Sequence, residues 1–268
     1  MNRSLIHSSF LSERHISVDS KDHKLQVEKW TEKLLSQTPC VSSGCKFTWN
    51  REGQTASSTA YLFDAIMSNV QYAQNQLMRS SLSAGKQAYK SAIDAAQTYA
   101  FVLQTLVPRW TFFHTVNIPD CQPHDIYGHY CLARAMAYDS VGKADLKCSN
   151  AAKLASAGNA AHMYTMAAQL ITGNCSSMIQ KAQISVADAL CIYGEQCLQQ
   201  WESDIDDTGA AKALGCFQEA DRRYNYAGIE GCRDKILYAF ERNQVHWLEP
   251  ILPPFEMIIP PRITPLHH

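Results

Sequence analysis

Proline decides where this chain can be helical. It stands at positions 39, 108, 119 and 123 and then not again until Pro250. Inside a helix, proline removes a backbone donor and clashes with the preceding turn. Long helices are therefore confined to the proline-free stretches, and those stretches carry the helical pattern. Leu62, Ile66, Val70, Ala73 and Leu77 recur at one-turn spacing within residues 58–79, which is the stripe of an amphipathic helix. Residues 84–106 repeat it with Tyr89, Ile93, Ala96, Tyr99, Ala100, Leu103 and Leu106, and Pro108 closes the run. Beyond Pro123 the pattern predicts helices over 124–141, 147–172, 175–203, 208–227 and 229–243. Gly173 is placed as a C-terminal stop.

Ahead of this helical stretch, residues 25–36 read as one more helix, stopped by Pro39. Cys45-Lys46-Phe47-Thr48-Trp49 is aromatic and β-prone, so a short strand is expected near 45–49, followed by a polar turn at Gly53. Residues 1–24 are polar and patternless and read as a flexible N-terminal arm. The loop 107–123 holds Trp110, Phe112 and Phe113, aromatics enough to pack over a helix pair. The expected organisation is the 1–24 arm, one helical domain over 25–255, and a Pro-rich tail over 256–268. Trp247, Leu252, Phe255, Ile258 and Ile259 make the tail region apolar, so it is expected to lie along its own domain rather than extend as a ligand for an aromatic groove. Alanines beside large aromatics suit stacked antiparallel helical hairpins, because alanine lets helix axes approach while Tyr or Phe fills the neighbouring gap.

Charge and chemistry narrow the function. The chain has 24 Lys+Arg against 25 Asp+Glu, which argues against a broadly basic nucleic-acid binder held by phosphate neutralisation. No apolar run approaches the ~18 residues of a spanning helix, and the first residues lack the apolar core of a signal peptide. These features point to a soluble, intracellular chain. Ten cysteines occur without a Cys-x-x-Cys pair, and Cys131, Cys191 and Cys216 fall inside helical patterns, where a thiol acts as a small apolar residue. His124, Asp125 and His129 form the sharpest metal-like cluster. Their five-residue histidine spacing turns the rings ~140° apart, so a metal-dependent hydrolase is kept only as an alternative. No dinucleotide, P-loop, nucleophile-elbow or kinase motif is present. No catalytic residue, metal or cofactor is assigned.

Several segments, taken in order, resemble the Bro-one domain family. Lys46-Phe47-Thr48-Trp49 is similar to that family's Phe-x-Trp segment, and Tyr61-Leu62-Phe63-Asp64-Ala65-Ile66 resembles the start of the long helix after it. Ala88-Tyr89-Lys90-Ser91-Ala92 through Leu106, Tyr130 to Ala137, and Ala151-Ala152-Lys153-Leu154-Ala155 resemble its following helices. The ending, Leu237 to Asn243 and then Val245-His246-Trp247-Leu248-Glu249-Pro250, is similar to its last helix and proline exit. The likeness spans residues 45–255, with a shorter segment ahead of it than the family has.

The resemblance implies an all-α fold, a curved rod of antiparallel hairpins with a tetratricopeptide-like middle. It also implies a non-catalytic scaffold of the endosomal sorting (ESCRT) pathway, cytoplasmic and peripheral on endosomes. Such scaffolds take helical or extended peptides of protein partners, among them ESCRT-III C-terminal helices. The family's partner-binding positions fall here on Asp139, Asn150 and Leu154, with Tyr138 beside them. Of the three aligned positions, only Leu154 keeps the family's apolar character. A divergent adaptor with a non-ESCRT partner is the alternative within the same class. Met136, Tyr138, Leu154, Met163 and Tyr164 sit at helical spacing and are expected to be core rather than groove.

Overall fold

The computed structural model describes residues 22–36, 42–51, 54–109, 122–143, 148–173, 175–254 and 258. The 1–21 part of the expected arm, the aromatics at 110, 112 and 113, and the tail beyond 258 lie outside them. The fold is all-α with one small two-stranded sheet. In chain order the elements are α1 (His23–Ser36), β1 (Ser42–Arg51), β2 (Gln54–Ala60), α2 (Tyr61–Leu82), α3 (Gly85–Phe101), α4 (Pro123–Lys143), α5 (Asn150–Leu170), α6 (Ser176–Glu202), α7 (Gly209–Tyr226) and α8 (Arg233–Asn243). No helix among the described residues is long and apolar enough to cross a membrane.

The chain divides into two compact units. The first gathers residues 1–83, 90–133 and 170–173; the second gathers 84–89, 134–169 and 174–268.

In the first unit, β1 and β2 form an antiparallel ribbon pairing Phe47 with Ser58 and Trp49 with Ala56. A two-stranded ribbon is marginal on its own, and this one is anchored by side chains. Phe47 is 1% exposed and lies against the Tyr61 ring. The Trp49 indole donates to the Asp64 carboxylate at 2.9 Å. The Trp30 indole of α1 donates to the other oxygen at 2.8 Å. Asp64 sits in the first turn of α2, where a carboxylate also complements the helix dipole. One buried acidic side chain thus joins a strand and two helices.

The second strand corrects the expected start of the 58–79 helix. Residues 58–60 belong to β2, and the helix begins at Tyr61. Ser57, Ser58 and Thr59 are poor helix formers, and the Ser58 hydroxyl accepts the Ala60 N–H at 3.1 Å, a local bond that competes with helix. From there the α2 stripe is as expected, with Leu62, Ile66, Val70, Ala73 and Leu77 all buried. α1 runs antiparallel to α2, since Trp30 meets Asp64 while His23 meets Tyr72.

In α3 the buried face is rotated from the expected one. Ala88, Ala92, Ala95, Ala96 and Tyr99 are buried, continuing into Val102 and Leu106, whereas Tyr89 is exposed and Ile93 only half-buried. Small alanines take the seam because they permit a close approach, and the bulky residues flank it. Past Phe101 the helix widens into a π turn at Val102–Leu106 and tightens into a 3-10 turn at Val107–Arg109. Helical geometry therefore runs through Pro108 rather than ending before it. The tighter 3-10 form suits a residue that lacks an N–H.

In the second unit, α6 and α7 pack antiparallel. Gln183 meets Arg223, Gly194 meets Phe217 and Cys197 meets Gly209. α8 returns antiparallel to α7 and parallel to α6, meeting it at Lys235–Glu195 and Tyr238–Glu202. Alternate helices running parallel are what stacked hairpins produce. Their core holds Leu190, Cys197, Leu214, Cys216 and Phe217.

The segment after α8 packs down in part: Ile258 is buried, whereas Trp247 and Leu252, expected to pack down with the apolar tail, are exposed. Asn243 donates to the Leu248 carbonyl at 2.6 Å, and the Ile251 N–H donates to the Ala211 carbonyl at 3.0 Å. Gly215 makes that approach possible, since a Cβ there would lie 2.3 Å from the Ile251 oxygen. Ile258 is fully buried in the same core.

Candidate partner-binding surface

The four positions implied as partner-binding lie on α4 and α5, within the second unit. Tyr138 is half-buried. Arg134, one turn earlier, donates to its hydroxyl at 2.6 Å and stacks its guanidinium over the ring. Asp139 is half-buried near Tyr164, and burial first, then this carboxylate, push the Tyr164 hydroxyl well above its ordinary range. Asn150 opens α5 and is exposed. Leu154, one turn on, is half-buried and packs against the core around Leu190 and Phe217. The apolar surface these positions offer is therefore the Tyr138 ring and the free side of Leu154, flanked by the polar Asp139 and Asn150.

The helical-spacing set divides. Tyr164 is core, 1% exposed. Met136, Tyr138, Leu154 and Met163 are partly buried, so the expectation that they are core is met in part, and Leu154 packs against the second unit's core. On α5 the buried face is made of Ser156, Ala157, Gly158, Ala160, Ala161, Tyr164 and Ala167, and Leu154 and Met163 lie beside it, each partly buried. Flexible thioethers suit adaptable binding surfaces.

The histidine cluster is arranged structurally. Asp125 is buried, and its Oδ1 accepts the Thr172 N–H at 3.1 Å and the Thr172 hydroxyl at 2.8 Å. His129 Nδ1 bonds the Asp125 carbonyl at 2.9 Å, and its ring rests on Tyr99. Among the described residues, no group of three or more His, Cys, Asp or Glu side chains is placed to hold a metal.

Two concave surfaces were not singled out by the sequence. One, of about 480 Å³ in the first unit, is lined by Val27, Thr31, Tyr72, Thr98 and Phe101, with Lys24 and Arg109 at its margins. Its signal in the sequence is the run of hydroxyl and amide residues on otherwise apolar helix faces. Within it Tyr72 donates to Asp94. The other, of about 260 Å³ in the second unit, lies between Leu214, Phe240, Asn243 and Trp247. Near it Leu237, Tyr238, Phe240 and Trp247 are exposed, Trp247 to 77%. No protein-family model matches this chain, and no curated protein matches it.

Proposed function

We propose that the chain is a non-catalytic protein-interaction scaffold of the Bro-one, ESCRT-associated type. It acts in the cytoplasm and reaches endosomal membranes through protein partners. Its candidate docking surface is the α4–α5 region, where it takes an amphipathic helix of a partner such as an ESCRT-III C-terminal segment. The observation that carries this reading is the partial exposure of Met136, Tyr138, Leu154 and Met163. Together with the ordered landmarks from Lys46 to Pro250, it favours helix-in-groove recognition, in which apolar anchors at one-turn spacing enter such a surface.

Asp139 and Asn150 shape the choice of partner. A carboxylate facing an apolar anchor carries a desolvation cost of several kcal/mol. The helix that fits here carries a basic or amide side chain opposite Asp139. The same polarity favours a second reading, in which the docked helix comes from a protein outside the ESCRT-III group.

Fluorescence anisotropy of labelled ESCRT-III C-terminal peptides against the whole chain tests both readings. Binding that weakens about tenfold or more in Leu154→Asp, and less in Tyr138→Ala, is the expected result. Binding only to helices from other proteins, with the same sensitivity at Leu154, selects the second reading. Peptide binding indifferent to both substitutions overturns the α4–α5 surface.

A further inference from the structure

Exposed apolar side chains gather where α8 ends. Leu237, Phe240, Val245 and Trp247 all stand in solvent, and Phe240 and Trp247 line the notch of about 260 Å³ together with Leu214, Asn243, Glu249 and Pro250. A notch of this size falls below the ~300–1,000 Å³ of ordinary small-ligand pockets. It suits one or two side chains of an extended segment.

Three features leave the notch incomplete. Trp247 has φ at 50°, the left-handed conformation that glycine ordinarily supplies just past a helix end. A bulky residue is disfavoured there, and its indole gains no burial in return. Asn243 is 7% exposed, and its Nδ2 donates to the Leu248 carbonyl at 2.6 Å, yet its Oδ1 receives no donor among the described residues. A buried acceptor without a donor is destabilising. Glu249 is the one charged residue among those described that line the notch, and it pairs with no cation among them. The missing occupant is therefore apolar or planar, donates hydrogen bonds and is positively charged.

The chain carries such a segment. Ile258 is fully buried in a core that also holds Leu214 and Ala239, the residue before Phe240. After it come Ile259-Pro260-Pro261-Arg262-Ile263. We propose that Pro260-Pro261-Arg262-Ile263 docks in this notch of its own chain. Prolines suit aromatic-lined grooves because their extended form is set in advance. The Arg262 guanidinium stacks on the Trp247 indole, pairs with Glu249 and has donors to spare for Asn243 Oδ1. The four residues from Ile258 to Arg262 span up to ~13 Å, more than the ~8–10 Å between packed helix axes. The notch also continues an existing seat. Pro250 lines it, and the segment from Pro250 lies on α7 through the Ile251 N–H and the Ala211 carbonyl, with Pro253 buried. Anchoring at Ile258 makes the docking intramolecular, so modest contacts suffice. The site is independent of any peptide bound on α4–α5.

The test places the photo-cross-linker p-benzoylphenylalanine at Leu266 of the whole chain, beyond the docking residues, and irradiates a dilute sample. Peptide mapping should find intramolecular cross-links to residues 240–249. Trp247→Gly keeps the backbone bond from the residue 247 N–H to the Asn243 carbonyl, at 2.8 Å, and relieves the left-handed backbone. Thermal unfolding should be unchanged or raised, while the cross-link falls about tenfold or more. Glu249→Lys should weaken it too, and adding Arg262→Glu should restore it in part, which a merely structural role of Glu249 would not produce. Cross-links elsewhere in the chain, none at all, or a yield indifferent to Trp247→Gly and Glu249→Lys overturn the proposal. Cross-linked dimers overturn it as well and assign the notch to a second copy.

Discussion

Around α2, the buried positions of the first unit include Asp64, Ser68, Asn69 and Gln76, and His23 and Thr31 of α1 are buried as well. Around α6 and α7, the second unit buries mainly alanines, glycines and thiols, with Leu190, Leu214 and Phe217 as the bulky filling and Ser185 and Glu219 as the buried polar residues. Elements that join the first core follow one another in the chain but differ in kind: a helix, a ribbon and a second helix. Directional hydrogen bonds, such as Trp30 and Trp49 on Asp64 or Asn69 on Thr31 at 2.7 Å, fix how such unlike pieces meet. The second unit's α6–α8 stack is made of like pieces, and shape works there beside the polar pairs Gln183–Arg223, Asp188–Tyr224 and Glu195–Lys235. In its core a small residue opposite a large one, as with Gly194 beneath the Phe217 ring, sets the axis separation.

The sharpest way to break this contrast is Asp64→Ala. It leaves two indole N–H groups without this acceptor in a buried site, and the first unit should lose about 3–5 kcal/mol of stability. Urea unfolding followed by tryptophan fluorescence measures it. A loss under about 1 kcal/mol would mean that packing rather than the carboxylate joins the ribbon to the helices.

Gly215→Ala tests the shape-driven unit. The added methyl meets the Ile251 carbonyl, so the segment 250–254 must lift, at a cost of about 1–3 kcal/mol. Limited proteolysis should then cut near Leu252 faster, while the first unit's unfolding is unchanged.

The smallest effect is in pH dependence. Burial, and then the Arg79 guanidinium, lower His23 from 6.5. Its Nδ1 has no hydrogen-bond partner among the described residues. The unfolded chain therefore binds this proton more readily, so the contribution is complete above about pH 6.5 and is lost as pH falls below it. Replacing His23 with Leu should flatten that slope. In the second unit the corresponding group is Asp206, held at about 2 by Lys212 and then Thr208. Its contribution, under about 1 kcal/mol, is complete above the ordinary 3.8 and is lost only as pH falls through about 2. Thermal unfolding scanned from pH 4.5 to 7.5 should find the first unit sensitive and the second flat.

Much of the fold was legible. Proline placement and apolar spacing located every helix among the described residues to within a few residues, and the α2 stripe was read residue by residue. The α3 face was missed because hydrophobicity weighs Tyr89 and Ile93 above Ala88 and Ala92, whereas close packing favours the smaller side chains. β2 was missed because Gln54 to Ala60 carries no apolar alternation, and its pairing is supplied by β1. At the candidate surface, Tyr138 and Leu154 were legible as apolar residues at helical spacing. Their partial burial was not, because it depends on which neighbours the fold brings against them.

Periodicity is a property of one helix, and the amino-acid order contains it in full. It carried the all-α class and the helix boundaries to within a few residues. Contacts between helices depend on the separation and rotation of their axes, which no single helix encodes. Folding was therefore needed to bring Trp30 and Trp49 onto one carboxylate and to set Gly194 beneath the Phe217 ring. It also placed Tyr164 in the core while leaving Met136 and Met163 partly in solvent.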